Sequence, residues 1–201
     1  MADLRSTALK AHPDARVPVP RREKGIMVRA RRAAFAPSDG RGREPMVEAA
    51  TYGLAGRNYY AIRDGSNPPY GRAIDGAIDR LLLRQGVAEA LVRVEAALAR
   101  YGLGLWLHDC WRPLAAQRGL WAYFEAKIRR DNPNWLDLQV GHAVGKMVAD
   151  PRHFDAADPG TWPPHSTGGA VDLVLRERAT NRLFDFGARE VHMRAAQHVL
   201  D

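Results

Sequence analysis

Long apolar runs and cysteine are nearly absent from this chain of 201 residues. No stretch approaches the ~18 consecutive apolar residues that a membrane-spanning helix needs, so no membrane span is expected. The first residues, 1–5, also lack the apolar stretch of a secretory signal, which predicts a cytoplasmic protein. The single cysteine, Cys110, excludes an internal disulfide framework.

The net charge of +7 is unevenly distributed along the chain. Residues 1–45 carry eleven Lys or Arg and five Asp or Glu, and so account for +6 of it. This segment contains five prolines and no sustained apolar period, which predicts a disordered extension before a domain at 46–201. An arm that binds nucleic acid or an anionic membrane is the alternative. Because Phe35 is its one aromatic residue and the rest of the chain is nearly neutral, no nucleic-acid partner is expected.

Apolar periodicity divides the remaining chain into helices and strands. Apolar residues at steps of four, three and four predict an amphipathic helix between Gly86 and Gly102; they are Val87, Leu91, Val94 and Leu98. Alternating leucines predict a strand over 103–108, helical spacing resumes over 114–128, and a strand pattern returns over 170–175. Regular strand–helix alternation is absent, which favours an α+β fold, a compact domain with a central, mostly antiparallel sheet flanked by helices.

Other segments carry weaker signals. Residues 51–69 are predicted to be irregular, with short extended pieces around 59–62. Residues 183–187 are predicted to be a strand or loop, and 193–200 a final helix. Glu95 and Glu125 fall on predicted helices and are interpreted as solvated positions.

An imidazole and a carboxylate stand seven positions apart in His165-Ser166-Thr167-Gly168-Gly169-Ala170-Val171-Asp172. To bind one zinc ion at ~2.0–2.2 Å, their ligating atoms must lie within roughly 4 Å of each other. Seven extended residues would span about 23 Å, and an odd separation places the two side chains on opposite strand faces. The glycine pair permits the required reversal, because glycine enters backbone regions closed to other residues. The alternative is a glycine turn into a buried strand, with Asp172 hydrogen-bonded and His165 in a loop.

Arg112 lies between the predicted strand and the following helix, in Asp109-Cys110-Trp111-Arg112-Pro113. The residue before a proline is disfavoured in helical geometry, and proline suits the first turn of a helix. On these residues alone, the favoured interpretation is a surface arginine paired with Asp109 at the helix start.

These two segments, in this order, resemble the zinc D-Ala-D-Ala dipeptidases of the vancomycin-resistance type over roughly residues 50–190. The resemblance implies a compact α+β domain that hydrolyses the small D-Ala-D-Ala dipeptide, a cell-wall precursor. It also implies that His165 and Asp172 are two ligands of one zinc ion per site. Arg112 is similarly implied to stabilise negative charge on the tetrahedral intermediate.

The sequence departs from this family in one respect. The family takes its third zinc ligand and its general base from a later Glu-x-x-Trp-His segment, and none of the five tryptophans here precedes a histidine. Those two roles stay unassigned, and Glu190, His192 and His198 do not receive them. We therefore expect a chain truncated at its C-terminus that binds zinc weakly through two ligands and hydrolyses the dipeptide poorly or not at all. A peptidoglycan carboxypeptidase or endopeptidase and a non-catalytic peptide-binding remnant are the alternatives.

Overall fold

The computed structural model describes residues 44–184. Over that range, three helices and two antiparallel pairs of strands form an α+β domain. Strand β1, Met46–Glu48, pairs with β2, Leu82–Arg84. Strand β3, Leu103–Asp109, pairs with β4, Asp172–Glu177. The α+β fold expected from the sequence is confirmed, and its antiparallel pairing is divided between two two-stranded sheets.

The first helix, α1, is Gln85–Ala99, and two of its positions differ from expectation. Val94, predicted on the apolar face, is 45% exposed. The side chain of Glu95, predicted in solvent, is only 15% exposed. Its carboxylate accepts a hydrogen bond of 2.5 Å from the backbone N–H of Leu105 in β3. The inner face therefore includes Glu95 rather than Val94, because the carboxylate has a polar partner on the neighbouring strand.

The second helix, α2, is Leu114–Asp131 and begins directly after Pro113. As its spacing predicts, it buries Gln117, Trp121 and Phe124. The third helix, α3, is Asp137–Met147, packs against α2 and was not predicted. Its buried residues are Val140, Ala143 and Val144.

Two groups of apolar residues form the interior of the domain. One surrounds Leu105 and Leu107 between α1 and the strands, and the other surrounds Leu120 and Val144 between α2 and α3. Full burial of a leucine side chain contributes about 1.5–3 kcal/mol. Because β3 supplies two leucines to the first group, core packing holds the end of this strand at Asp109. Across residues 44–184, no helix has the length and apolar character needed to cross a membrane.

Around residues 59–62, where short extended pieces were predicted, only Ile62 has an extended backbone. Tyr59–Ala61 forms a 3-10 turn instead. The side-chain oxygen of Asn58 accepts a hydrogen bond of 3.0 Å from the N–H of Tyr60, and this local bond stabilises the turn.

Three predictions fall wholly or largely outside the described residues. They concern the disordered extension over 1–45, the final helix over 193–200 and the segment 183–187. In the last of these, Leu183 forms one antiparallel bridge with Arg176 of β4.

Candidate metal centre

Hydrogen bonds join two loops that are about 55 positions apart in the chain. The N–H of Arg112 donates to the carbonyl of His165 at 3.1 Å. The hydroxyl of Ser166 donates to the carbonyl of Arg112 at 3.0 Å. The indole N–H of Trp111 donates to the carbonyl of Ser166 at 3.1 Å. These bonds hold the loop that carries His165 against the segment between β3 and α2.

His165 lies in a 3-10 turn, Pro164–Thr167, which ends at Gly168 with a φ of 78°. This left-handed conformation favours glycine. A Cβ atom at Gly168 would also lie 2.8 Å from the sulfur of Met46, so a side chain there would require the end of the Met46 side chain to move. Strand β4 begins only at Asp172. The chain therefore bends between the histidine and the aspartate, as a common metal site requires.

Asp109 and Asp172 are paired across a bulge between β3 and β4. Leu107 pairs with Leu173, but the next pair is Asp109 with Asp172, so His108 is an extra residue on β3. A bulge re-aims the side chains beside it and is common next to functional sites. Here it brings two carboxylates to the same end of the strand pair.

The imidazole of His165 lies between these carboxylates. Its Nε2 atom is 3.5 Å from Oδ1 of Asp172. Its Nδ1 atom is 3.0 Å from Oδ2 of Asp109 and 2.9 Å from the carbonyl oxygen of Cys110. One ligand atom from each of the three side chains lies within 4.8 Å of the others. Within residues 44–184, no other group of three or more His, Cys, Asp or Glu side chains is arranged so that it could hold a metal ion.

The distance between the ligand atoms of His165 and Asp172 fits a tetrahedral ion. Two ligands at ~2.0–2.2 Å from such an ion are separated by about 3.4 Å. The distance of 3.5 Å between Nε2 of His165 and Oδ1 of Asp172 matches that separation. Oδ1 of Asp109 is buried without a hydrogen-bond partner, which adds negative charge that a nearby cation would stabilise. Glu190, His192 and His198 lie outside the described residues.

The charges in the group are coupled. Burial lowers the pKa of His165, but hydrogen bonds with Asp109 and Asp172 outweigh burial and raise this pKa to about 9. Burial raises the pKa of Asp172, but its hydrogen bond with His165 and the positive charge of Arg112 lower it below the usual value. Without a metal, His165 and Asp172 form an imidazolium–carboxylate pair, and a metal ion would replace the imidazolium proton.

Arg112 is buried beside this group, with its side chain 8% exposed. Its Nε and Nη2 atoms donate to Oδ2 of Asp109 at 3.0 and 2.6 Å, and Nη1 donates to Oε1 of Gln117 at 2.7 Å. The guanidinium lies over the ring of Tyr60, 4.7 Å from its centroid. Nη2 is also 3.8 Å from Oδ2 of Asp172. The pairing with Asp109 that the sequence favoured is present, but it is buried and adjoins the candidate metal ligands.

Sequence reasoning missed the contribution of Gln117 and Tyr60, and it considered Asp109 only as a partner of Arg112. Two of these residues carry a recognisable signal. Asp109 continues the buried face of β3, and Gln117 is a polar residue on the apolar face of α2. A polar side chain at a buried position requires a partner, so both positions indicate a buried polar network. Tyr60 gives no comparable signal.

Comparison with known families supports this interpretation of the centre. The chain matches the family model described as D-Ala-D-Ala dipeptidase over residues 46–199, and the members of this peptidase family are generally metal-dependent. No curated protein matches the chain. The matched segment contains both joined loops and their candidate metal ligands. Because the match extends over well more than half of its length, the chain belongs to the D-Ala-D-Ala dipeptidase family of peptidases.

Proposed function

We propose that this chain hydrolyses the D-Ala-D-Ala dipeptide in a zinc-dependent reaction, and that it does so slowly, because its sequence has no Glu-x-x-Trp-His segment to supply a third zinc ligand and a general base. His165 and Asp172 would hold the zinc ion, and Arg112 would stabilise the negative charge of the tetrahedral intermediate. The distance of 3.5 Å between Nε2 of His165 and Oδ1 of Asp172 carries the proposal. A bound zinc ion lowers the pKa of its water to near neutrality and polarises the carbonyl that is attacked.

Arg112 is positioned before a substrate binds. Asp109 and Gln117 anchor its guanidinium by hydrogen bonds, and the ring of Tyr60 packs against its face. Little reorganisation is therefore needed when charge develops on the substrate oxygen. A preorganised donor of this kind commonly contributes ~3–4 kcal/mol to the stability of the transition state. The proximity of Nη2 to Asp172 places this positive charge beside the proposed zinc ligand.

Hydrolysis of D-Ala-D-Ala by the purified full chain tests the proposal, with released D-Ala as the readout and L-Ala-L-Ala as the control substrate. We expect a chelator to abolish hydrolysis and zinc to restore it. His165→Ala and Asp172→Ala should lose both zinc and activity. Arg112→Met should keep zinc but lower kcat by about 10²–10³-fold. His153→Ala is the matched control, because this histidine side chain is 81% exposed and its loss should leave both properties unchanged.

Hydrolysis that persists in the presence of a chelator would contradict the proposal, as would wild-type zinc content in His165→Ala. Preference for an N-acylated D-Ala-D-Ala over the free dipeptide would instead indicate a carboxypeptidase that uses the same centre. Zinc binding without hydrolysis of either substrate would indicate a peptide-binding protein. The lack of a Trp-His pair in the sequence favours this last alternative over the carboxypeptidase.

A further inference from the structure

We propose that Asp109 is a positioning residue. Together with the carbonyl oxygen of Cys110 it holds Nδ1 of His165 so that Nε2 binds the metal, and the same carboxylate fixes Arg112. This inference rests on the proposed function, in which His165 is a zinc ligand. Its basis is one buried oxygen, Oδ2 of Asp109, which lies 3.0 Å from Nδ1 of His165 and 2.6 Å from Nη2 of Arg112.

The surroundings of Nδ1 determine where the proton of His165 lies. This nitrogen is 2.9 Å from the carbonyl oxygen of Cys110 as well as 3.0 Å from the carboxylate of Asp109. A carbonyl oxygen can only accept a hydrogen bond, so Nδ1 carries a proton and donates it. Nε2, which faces Asp172, is then the nitrogen whose lone pair is available to a metal once its own proton leaves. The hydrogen bond of Nδ1 with the carbonyl oxygen of Cys110 fixes the ring orientation, and the carboxylate of Asp109, 3.0 Å from the same nitrogen, raises the basicity of the ligand.

Asp109 lies on the side of the imidazole away from this ligating nitrogen. Its Oδ2 atom already has three donors within hydrogen-bond distance, two from Arg112 and one from His165. Its side chain is 1% exposed, and the residue directly follows the bulge at His108. One oxygen of Asp109 lies within 4.8 Å of the ligand atoms of both His165 and Asp172, and the role of this carboxylate is to orient His165 rather than to bind the ion. Asp109 thereby connects the metal ligand with the arginine that stabilises the intermediate.

Nuclear magnetic resonance of the unaltered full chain, with ¹⁵N-labelled histidine and ¹¹³Cd as the metal, tests this assignment. The signals of His165 are identified by their loss in His165→Asn. We expect coupling between ¹¹³Cd and Nε2, together with a protonated Nδ1. Coupling to Nδ1 would overturn the role of Asp109 and leave the proposed function intact. Failure of His165 to bind cadmium or zinc would overturn both.

A second measurement compares two variants that break the same buried ion pair. Asp109→Asn should weaken zinc binding by about 10–100-fold, while the absorption bands of the Co²⁺-loaded protein keep their positions because no ligand is lost. Arg112→Met retains the contact between Asp109 and His165, so its zinc affinity should stay close to that of the unaltered chain. Shifted Co²⁺ bands in Asp109→Asn would show that Asp109 is itself a ligand and overturn the inference. Equal loss of zinc affinity in both variants would also overturn it.

Discussion

Replacing Asp109 with Asn is expected to remove a large part of the free energy of unfolding, because Arg112 would stay buried without its counter-ion. The two side chains are 1% and 8% exposed, and two hydrogen bonds join them at 3.0 and 2.6 Å. Asn cannot supply the negative charge. Removal of one partner of a buried ion pair costs about 3–5 kcal/mol, whereas the whole stability of a domain is about 5–15 kcal/mol.

The surroundings place the expected loss at the lower end of that range. Arg112 would keep its hydrogen bond to Gln117 and would still have Asp172 at 3.8 Å, although the side chain of Asp172 is 52% exposed. We therefore expect a loss of about 3 kcal/mol, which for a domain of this size lowers Tm by about 6–12 °C. The double variant Asp109→Asn with Arg112→Met buries no lone charge. The loss of unfolding free energy in the double variant should be smaller than the sum of the losses in the two single variants by about 1–3 kcal/mol.

Urea denaturation of the full chain, followed by tryptophan fluorescence, measures these free energies. A chelator must be present, because a bound metal would add its own stabilisation. Asp131→Asn is the matched control, since the Lys127–Asp131 pair lies on the surface and its loss should cost less than about 1 kcal/mol. The reasoning is refuted if Asp109→Asn costs no more than this control, or if the two single costs are additive.

Three further predictions follow from burial and close contacts. A Cβ atom at Gly119 would lie 2.4 Å from the backbone oxygen of Asp75, whereas one at Gly145 would meet nothing within 4 Å. Gly119→Ala should therefore destabilise the domain by about 1–3 kcal/mol, and Gly145→Ala should stabilise it by up to about 1 kcal/mol. A higher urea midpoint for Gly119→Ala than for Gly145→Ala would contradict this prediction. The Cys110 thiol is fully buried, and burial raises its pKa. Ellman's reagent should therefore modify Cys110 only as fast as the domain opens. Complete reaction of the native chain within seconds would contradict this prediction. Glu95→Gln should lower the free energy of unfolding by about 1.5–3 kcal/mol, because the carboxylate accepts a hydrogen bond from the backbone of β3 and pairs with arginines. An unchanged midpoint of urea denaturation would contradict this prediction.

Local periodicity is sufficient to predict the elements whose burial follows a simple repeat. The bounds of β3 and α2 agree with the sequence to within a few residues, because each element has one clear apolar face. Helix α3 was missed for an identifiable reason. Gly141 and Gly145 lower its helix propensity, and Leu136 and Leu138 stand exposed and out of phase with its buried residues. The apolar pattern of the segment is therefore blurred even though its core-facing positions are helical.

The centre could be predicted only in part. The glycine pair made it plausible that His165 and Asp172 approach one another, because a local reversal depends on local residue types. The contacts of Asp109 depend on a bulge at His108 and on hydrogen bonds to a loop about 55 positions away. Such features arise from tertiary packing, and neither composition nor periodicity encodes them. Glu95 was misjudged for the same reason, since its partner lies on another element.

The hydrogen bonds between the Trp111–Arg112 segment and the turn around His165 join backbone, indole and hydroxyl groups and use none of the candidate metal-ligating atoms. A structural zinc site differs, since there the ion supplies much of the folding energy and its removal unfolds the chain. In this protein the two joined segments would keep their backbone structure when the ion binds or dissociates. Exchange of the ion should therefore proceed without refolding, and a chelator that strips the protein should leave its far-ultraviolet circular dichroism unchanged.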